Sequence, residues 1–284
     1  MQNLALMELV DEVRDLPLTV SDVLAQVIQE CDNADASVSS LAQIMARDQA
    51  LAAMVLKLGN SAYYGYARRI ESLPDAVVLL GFASVKNLAI TASITRLLSA
   101  DNDDLAETRF ALFDHSLAAA TAARILGRSR RVSGEKAFVG GLLHDLGLIV
   151  LACYRKDEFR DLLALRESRI CHFHECEEEI LGFPHAELGA LVAAEWKFPP
   201  ALCEALRYHH TPELAVVDPV LAAAVHCGDW VAKRAGLGLL SPCLDEWPHP
   251  AARAEFGITD SSVTQLEAEV RAEFLDGASL RRAA

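Results

Sequence analysis

The stretch from Ser37 to Asn60, SVSSLAQIMARDQALAAMVLKLGN, decides the fold class. Its apolar residues Val38, Leu41, Ala42 and Met45, and then Leu51, Met54, Val55 and Leu58, recur three and four positions apart, the spacing of one helix face. Ser37 and Asp48 stand just before the two runs, where a short side-chain oxygen caps the first free N–H groups of a helix. Two short, capped helices are therefore predicted in succession.

The same period extends outward in both directions. Upstream, Val20, Val23, Leu24, Val27, Ile28 and Cys31 mark a helix face, with Thr19 placed to cap it. Downstream, NSAYYG (60–65) breaks the pattern with turn formers and two adjacent tyrosines, and Ser72, Pro74 and Asp75 announce the next helix start. Helices through AVVLL (76–80) and SVKNLAITASITRLL (84–98) follow, and the polar DNDDL (101–105) reads as a surface link. Beyond it Phe110, Phe113, Leu117 and Ala120 share a face, and the alanine-rich AAATAARIL (118–126) lets a neighbouring helix approach closely. Further helices are predicted over EKAFVGGLLHDLG (135–147), DEFRDLLALRE (157–167), HAELGALVAAEW (185–196), PALCEALRYHH (200–210) and PVLAAAVHCGDWVAKRA (219–235). After breakers between Leu237 and Pro250, Val263, Leu266, Val270 and Phe274 define a last helix able to pack in cis or on a partner. No stretch alternates for long with the period of a strand, so the expected fold is all-α, a multi-helix bundle.

Composition limits what such a bundle does. Of 284 residues, 52% are hydrophobic and 23% charged, a balance that supports a packed core. With 40 acidic and 26 basic side chains the net charge is −14, a field that repels nucleic-acid backbones and anionic membranes. The seven cysteines are odd in number and scattered, as suits small core residues in a reducing compartment. The N-terminus shows no signal peptide, and AVVLLGFASV (76–85) is too short to cross a bilayer, so a cytoplasmic location is expected.

Ligand-type residues form a series in the second half: His115, the pair His144 and Asp145, His185, the pair His209 and His210, and Asp229. Imidazole and carboxylate suit Zn, Mn or Fe, and ligands from several helices can converge inside a bundle. Each residue also has an ordinary reading. His115 can pack on the alanine-rich face, His144 can bond a backbone carbonyl, and Asp145 can cap the turn before Leu146. His185 sits near a helix start, His209 and His210 near a helix end, and Asp229 can pair with His226 three residues earlier. A second candidate, CHFHEC (171–176), offers Cys171, His172 and Cys176 at metal-ligand spacing, but Glu175, Glu177, Glu178 and Glu179 read as a solvated acidic helix. Tyr63 and Tyr64 are candidates for a partner contact or for locking two helices together.

The order His, His-Asp, Asp resembles the signature of HD-domain phosphohydrolases. With His185, His209 and His210 added, it is similar to the two-metal HD-GYP cyclic di-GMP phosphodiesterases. LPLTVSDVLAQVIQ (16–29), the stretch from Ser37 to Gly65, RIESLPDAVVLLGFASVKNLAI (69–90) and GLLHDLGLIVL (141–151) resemble the HDOD family specifically, from about Leu16 to about Thr211.

That resemblance implies an HDOD region over residues 1–236, with an N-terminal helical half (1–100) and an HD-like half (105–236), followed by a C-terminal loop and helix (237–284). It implies one or two divalent ions, Fe, Mn or Zn. His115, His144, Asp145 and Asp229 would hold one, and His185, His209 and His210 the second, with Asp145 bridging. It further implies a bacterial signalling output or adaptor module that works through a signalling protein partner or self-association. The alternative it implies is hydrolysis of a nucleotide or cyclic dinucleotide. Against hydrolysis, Leu148 stands where the catalytic pattern has a lysine, and TPEL (211–214) replaces the GYP segment.

Overall fold

A computed structural model describes residues 4–15, 22–60, 69–98, 103–128, 132–169, 173–237 and 247–283. Thr19, Tyr63, Tyr64, Cys171 and His172 lie outside them. In chain order the helices are α1 (Leu4–Asp15), α2 (Asp22–Cys31), α3 (Val38–Met45), α4 (Gln49–Gly59), α5 (Leu73–Leu80), α6 (Phe82–Leu98), α7 (Ala106–Arg128) and α8 (Gly134–Leu143). They continue as α9 (Leu146–Tyr154), α10 (Lys156–Ser168), α11 (Phe173–Ile180), α12 (His185–Glu195), α13 (Pro200–Arg207), α14 (Pro219–Arg234), α15 (Pro250–Phe256) and α16 (Asp260–Ala283), with a 3-10 turn at Pro212–Leu214. The fold is all-α, with no strand among the described residues.

The chain divides into two compact units. One comprises Leu18–Ala100 with Glu273–Ala284, the other Met1–Pro17 with Asp101–Ala272.

In the first unit the capped helices form as their sequence dictates. The Ser37 side chain accepts from the Ser40 N–H while Ser40 bonds back to the Ser37 N–H, and Asp48 accepts from the Leu51 N–H. Leu24, Val27, Ile28, Leu41, Met45, Leu51, Val55 and Leu58 are all buried, as one apolar stripe per helix requires. After α4, the Asn60 amide donates to the Ile70 carbonyl at 2.8 Å and accepts from the Ile70 N–H at 2.8 Å, which ties the end of α4 to the residues leading into α5.

In the second unit α7 is the central helix, packed against α8 and α14, while α9 packs on α12. The alanines of α7 allow the approach that their pattern predicts: a Cβ added at Gly141 of α8 would stand 2.6 Å from the Ala120 Cα. The junction of α9 and α12 is closer still, since a Cβ at Gly147 would stand 2.1 Å from the His185 carbonyl oxygen. Only glycine admits that contact.

The expectation of one helix across EKAFVGGLLHDLG is corrected. Helix α8 stops at Leu143, and His144 and Asp145 form a turn before α9 begins. Gly134–Tyr154 is also a longer apolar stretch than AVVLLGFASV, long enough to cross a membrane by length and composition, but 89% of its most apolar 18-residue window is buried inside the protein. The last helix packs in cis: Val263 joins Leu126, Ala223 and Cys227, and Val270 joins Ala122 and Val231. Cys31, Cys153, Cys203 and Cys227 are outside any disulfide, whereas Cys176, 1% exposed in the core as expected, is disulfide-bonded and so is neither reduced nor a metal ligand.

Candidate metal centre

Six chain segments of the second unit bring the seven ligand-type residues together. His115 projects from the middle of α7, His144 ends α8, and Asp145 precedes α9. His185 opens α12, His209 and His210 follow the end of α13, and Asp229 lies in α14. All except the half-buried His210 are at most 7% exposed.

The imidazoles share one orientation rule. Nδ1 of His115 lies 3.0 Å from the Leu237 carbonyl, that of His144 lies 2.7 Å from the Gly141 carbonyl, and that of His209 lies 2.6 Å from the Leu206 carbonyl. A carbonyl only accepts, so each Nδ1 carries the proton and donates it. His185 follows the same rule with a carboxylate: its Nδ1 donates to Glu177 Oε1 at 2.5 Å, and its backbone N–H donates to Glu177 Oε2 at 2.8 Å. In the neutral form each Nε2 is thereby left as a lone pair, and the four Nε2 atoms face inward.

They face carboxylates. Asp145 Oδ2 lies 3.2 Å from His144 Nε2 and 3.9 Å from His115 Nε2. Its Oδ1 lies 3.2 Å from His185 Nε2 and 3.9 Å from His209 Nε2. Asp229 Oδ1 is 2.8 Å from His115 Nε2 and 3.6 Å from His144 Nε2, while Lys233 donates to its Oδ2 at 2.6 Å. Nε2 of His185 lies 3.3 Å from Nε2 of both His209 and His210. Asp145 thus stands between two groups, His115 with His144 and Asp229 on one side, and His185 with His209 and His210 on the other.

Lone pairs facing carboxylates and one another require a cation between them. Burial opposes charge on His144, yet Asp145 and Asp229 outweigh it and push its pKa up to about 10. His185, likewise buried, rises to about 9 beside Glu177 and Asp145. Burial and the neighbouring His144 and His185 charges hold His209 well below the usual imidazole range, and burial with His209 and His185 does the same to His210. Against burial, His144 and His185 keep Asp145 well below the usual carboxylate range, and Lys233, His115 and His144 do so for Asp229. Without another cation, protons gather on His144 and His185 and are kept off His209 and His210.

A divalent ion meets the same demand better. Nitrogen ligands about 2.1 Å from an ion are separated by roughly 3.0 Å at right angles and roughly 3.4 Å at tetrahedral angles. The observed 3.2–3.3 Å separations around His185 match that range. His144 Nε2 is buried without an aligned hydrogen-bond partner, the atom an ion would satisfy. The residues therefore fit a divalent metal, with His185, His209 and His210 as one group and His115, His144 and Asp145 as another.

The family profile of the HDOD domain matches residues 16–212. The chain belongs to the HDOD family. An HDOD domain protein of unknown function from Geobacter sulfurreducens is 27% identical, with a TM-score of 0.76 over 95% of this chain and 97% of that one. A candidate signal transduction protein from Marinobacter aquaeolei VT8 shares the fold at 24% identity, TM-score 0.78, over 98% of this chain and 65% of its own. A candidate phosphohydrolase from Shewanella amazonensis SB2B does so at 23% identity, TM-score 0.74, over 100% and 99%. An uncharacterized protein of Treponema pallidum (strain Nichols) is 26% identical over 200 residues, which are 70% of this chain but 38% of that protein. The HDOD chain therefore spans well under half of that relative's length.

Two residues of the HDOD centre escaped the sequence reading. Glu177 is fully buried and grips His185, which corrects its assignment to a solvated acidic face. Lys233 holds Asp229, an i,i+4 pair that the helical register could have flagged. Two ordinary readings are also corrected. Asp145 makes no side-chain cap to α9, and His226 does not pair with Asp229. Instead His226 donates from Nδ1 to the His209 carbonyl at 2.7 Å and accepts the His249 N–H on Nε2 at 2.9 Å. The carbonyl bond expected of His144 is present, and it aims the other nitrogen at the centre.

Proposed function

We propose that this HDOD chain is a signalling domain that keeps a divalent-metal centre, Fe, Mn or Zn, without turning over a phosphodiester. His115, His144, Asp145 and Asp229 would hold one ion, and His185, His209 and His210 would hold a second, with Asp145 between the two groups. In a hydrolase such a pair of ions acidifies a water for attack on phosphorus. The burial of this centre supports a different use: six of its seven ligands are at most 7% exposed, so little of it is offered to a substrate. Leu148, at the position where the catalytic pattern has a lysine, is 2% exposed in the apolar face of α9 and offers no charge to a phosphate. Output then passes through a signalling protein partner in the cytoplasm or through self-association, while the net charge of −14 disfavours nucleic acid and anionic membrane.

The inward convergence of all seven ligand types favours the second reading, a metal-dependent phosphohydrolase. An assay with bis(p-nitrophenyl) phosphate and a panel of nucleotides and cyclic dinucleotides, in Mn(II), Fe(II) and Zn(II), separates the two. The adaptor reading expects no metal-dependent cleavage above the level of a His144→Ala/Asp145→Ala double variant. Cleavage that requires metal and vanishes in that variant would establish the hydrolase.

A further inference from the structure

The two ligand groups have matching inner donors but opposite surroundings. Behind His185 stands Glu177, 0% exposed, with both carboxylate oxygens spent on this one residue: Oε1 on the ring Nδ1 and Oε2 on the backbone N–H. A carboxylate behind a ligating imidazole raises the basicity of the nitrogen that faces the metal and fixes the ring. Behind Asp229 stands Lys233 instead, its side chain 16% exposed and its ammonium 2.6 Å from Oδ2. The other oxygen of the same carboxylate is the one that faces His115 and His144. A positive charge one carboxylate away repels a divalent cation and draws electron density from the donor oxygen.

Charge bookkeeping sharpens the contrast. With Asp145 divided equally, the Asp229 carboxylate of the first group is cancelled by Lys233, whereas Glu177, which meets no Lys or Arg among the described residues, adds a negative charge to the trihistidine group. Three imidazoles backed by a buried anion make a strong position for a borderline metal. The first group can release its ion at lower cost, because Lys233 already neutralises the carboxylate left behind.

Resting on the reading that this centre binds metal, we infer that its two positions are unequal by design: the Glu177-backed trihistidine position holds its ion tightly, and the Lys233-opposed position at His115, His144 and Asp229 exchanges its ion. The exchangeable position makes the domain responsive to divalent-cation supply. Glu177 and Lys233 are positioning residues, since each acts on the ion through a ligand.

The test is titration of the full chain, stripped of metal with a chelator, with Mn(II), reading free Mn(II) by electron paramagnetic resonance. Wild type is expected to show two classes of site that differ in Kd by about tenfold or more, the scale on which such outer partners act. Lys233→Met should tighten the weaker class by about tenfold and leave the tighter one unchanged, whereas Lys233→Arg should keep them unequal. Glu177→Gln should weaken the tighter class by about 10–100-fold. Two equal classes in wild type would overturn the inequality while leaving metal binding intact, as would a Lys233→Met variant whose weaker class loosens. No Mn(II) binding by wild type would overturn the metal reading itself. Circular dichroism monitors folding of Glu177→Gln, and should that variant not fold, the wild-type and Lys233 titrations still decide.

Discussion

The two compact units solve burial in different ways. Among the described residues of Leu18–Ala100 the buried polar side chains are Asn87, Thr91 and Thr95, all on α6, and both threonine hydroxyls donate to carbonyls four residues back at 2.8 Å. The threonines there settle their polarity within a single helix, and the buried hydrophobic side chains among the described residues of this unit are non-aromatic. In the unit containing Asp101–Ala272, His115, His144, Asp145, Glu177, His185, His209 and Asp229 are buried together, and they come from four helices and two turns. A buried polar group without a partner costs about 1–3 kcal/mol, and more when charged. The second unit therefore depends on long-range geometry in a way that the first does not.

The sharpest way to break this contrast is Asp145→Ala. Removing the carboxylate that faces both ligand groups takes one counter-charge from each of His144 and His185, leaving Asp229 beside the first and Glu177 beside the second, and the loss of one partner from a buried ionic network costs about 3–5 kcal/mol. Urea denaturation should show that loss together with loss of bound metal. A variant that kept its unfolding midpoint would contradict the role given to Asp145.

Next in size is the pH dependence of the metal-free chain. His144 and His185 are raised to about 10 and about 9, so the stability they contribute is complete below the unfolded value of 6.5 and is lost as pH climbs through those folded values. His209 and His210 are held well below 6.5, so their contribution is complete above 6.5 and is lost as pH falls, because the unfolded chain takes up protons that the folded one refuses. Metal-free stability should therefore peak near pH 6.5, and the peak should flatten in Asp145→Ala. A urea midpoint that rises steadily from pH 5 to 9 would refute this balance.

Gly147→Ala sharpens the comparison without touching a ligand. Its new methyl would meet the His185 carbonyl at the α9–α12 junction, and such overpacking costs about 1–3 kcal/mol. Lower metal occupancy should accompany the lower midpoint, because the junction sets His185 against Asp145. The smallest effect belongs to the other unit: Ser37→Ala removes the cap of α3, costs about 1 kcal/mol in urea, and should leave metal content unchanged.

This difference between the units also explains what the sequence made legible. Helix faces such as Leu41, Ala42 and Met45, and caps such as Ser37, Asp48 and Ser72, depend on neighbours within four residues, so periodicity and spacing reveal them. The ligand types of the centre could be read as a series, but their convergence depends on helix crossings that one sequence does not display. Glu177 was misread because three flanking glutamates, two of them exposed, imitate a solvated face, and its partner lies eight residues ahead across a turn. A turn before Leu146 is one reading of Asp145, but the apolar pattern of α8 runs on into α9, so periodicity alone carries one helix through His144.

The most direct test of the account is metal analysis by inductively coupled plasma mass spectrometry on protein purified without an affinity tag, beside the His144→Ala variant. The account predicts one to two equivalents of Fe, Mn or Zn in the wild type and a clear loss in the variant. No metal in the wild type, even after incubation with each ion, would contradict it and leave the inward-facing imidazoles as a purely protonic network.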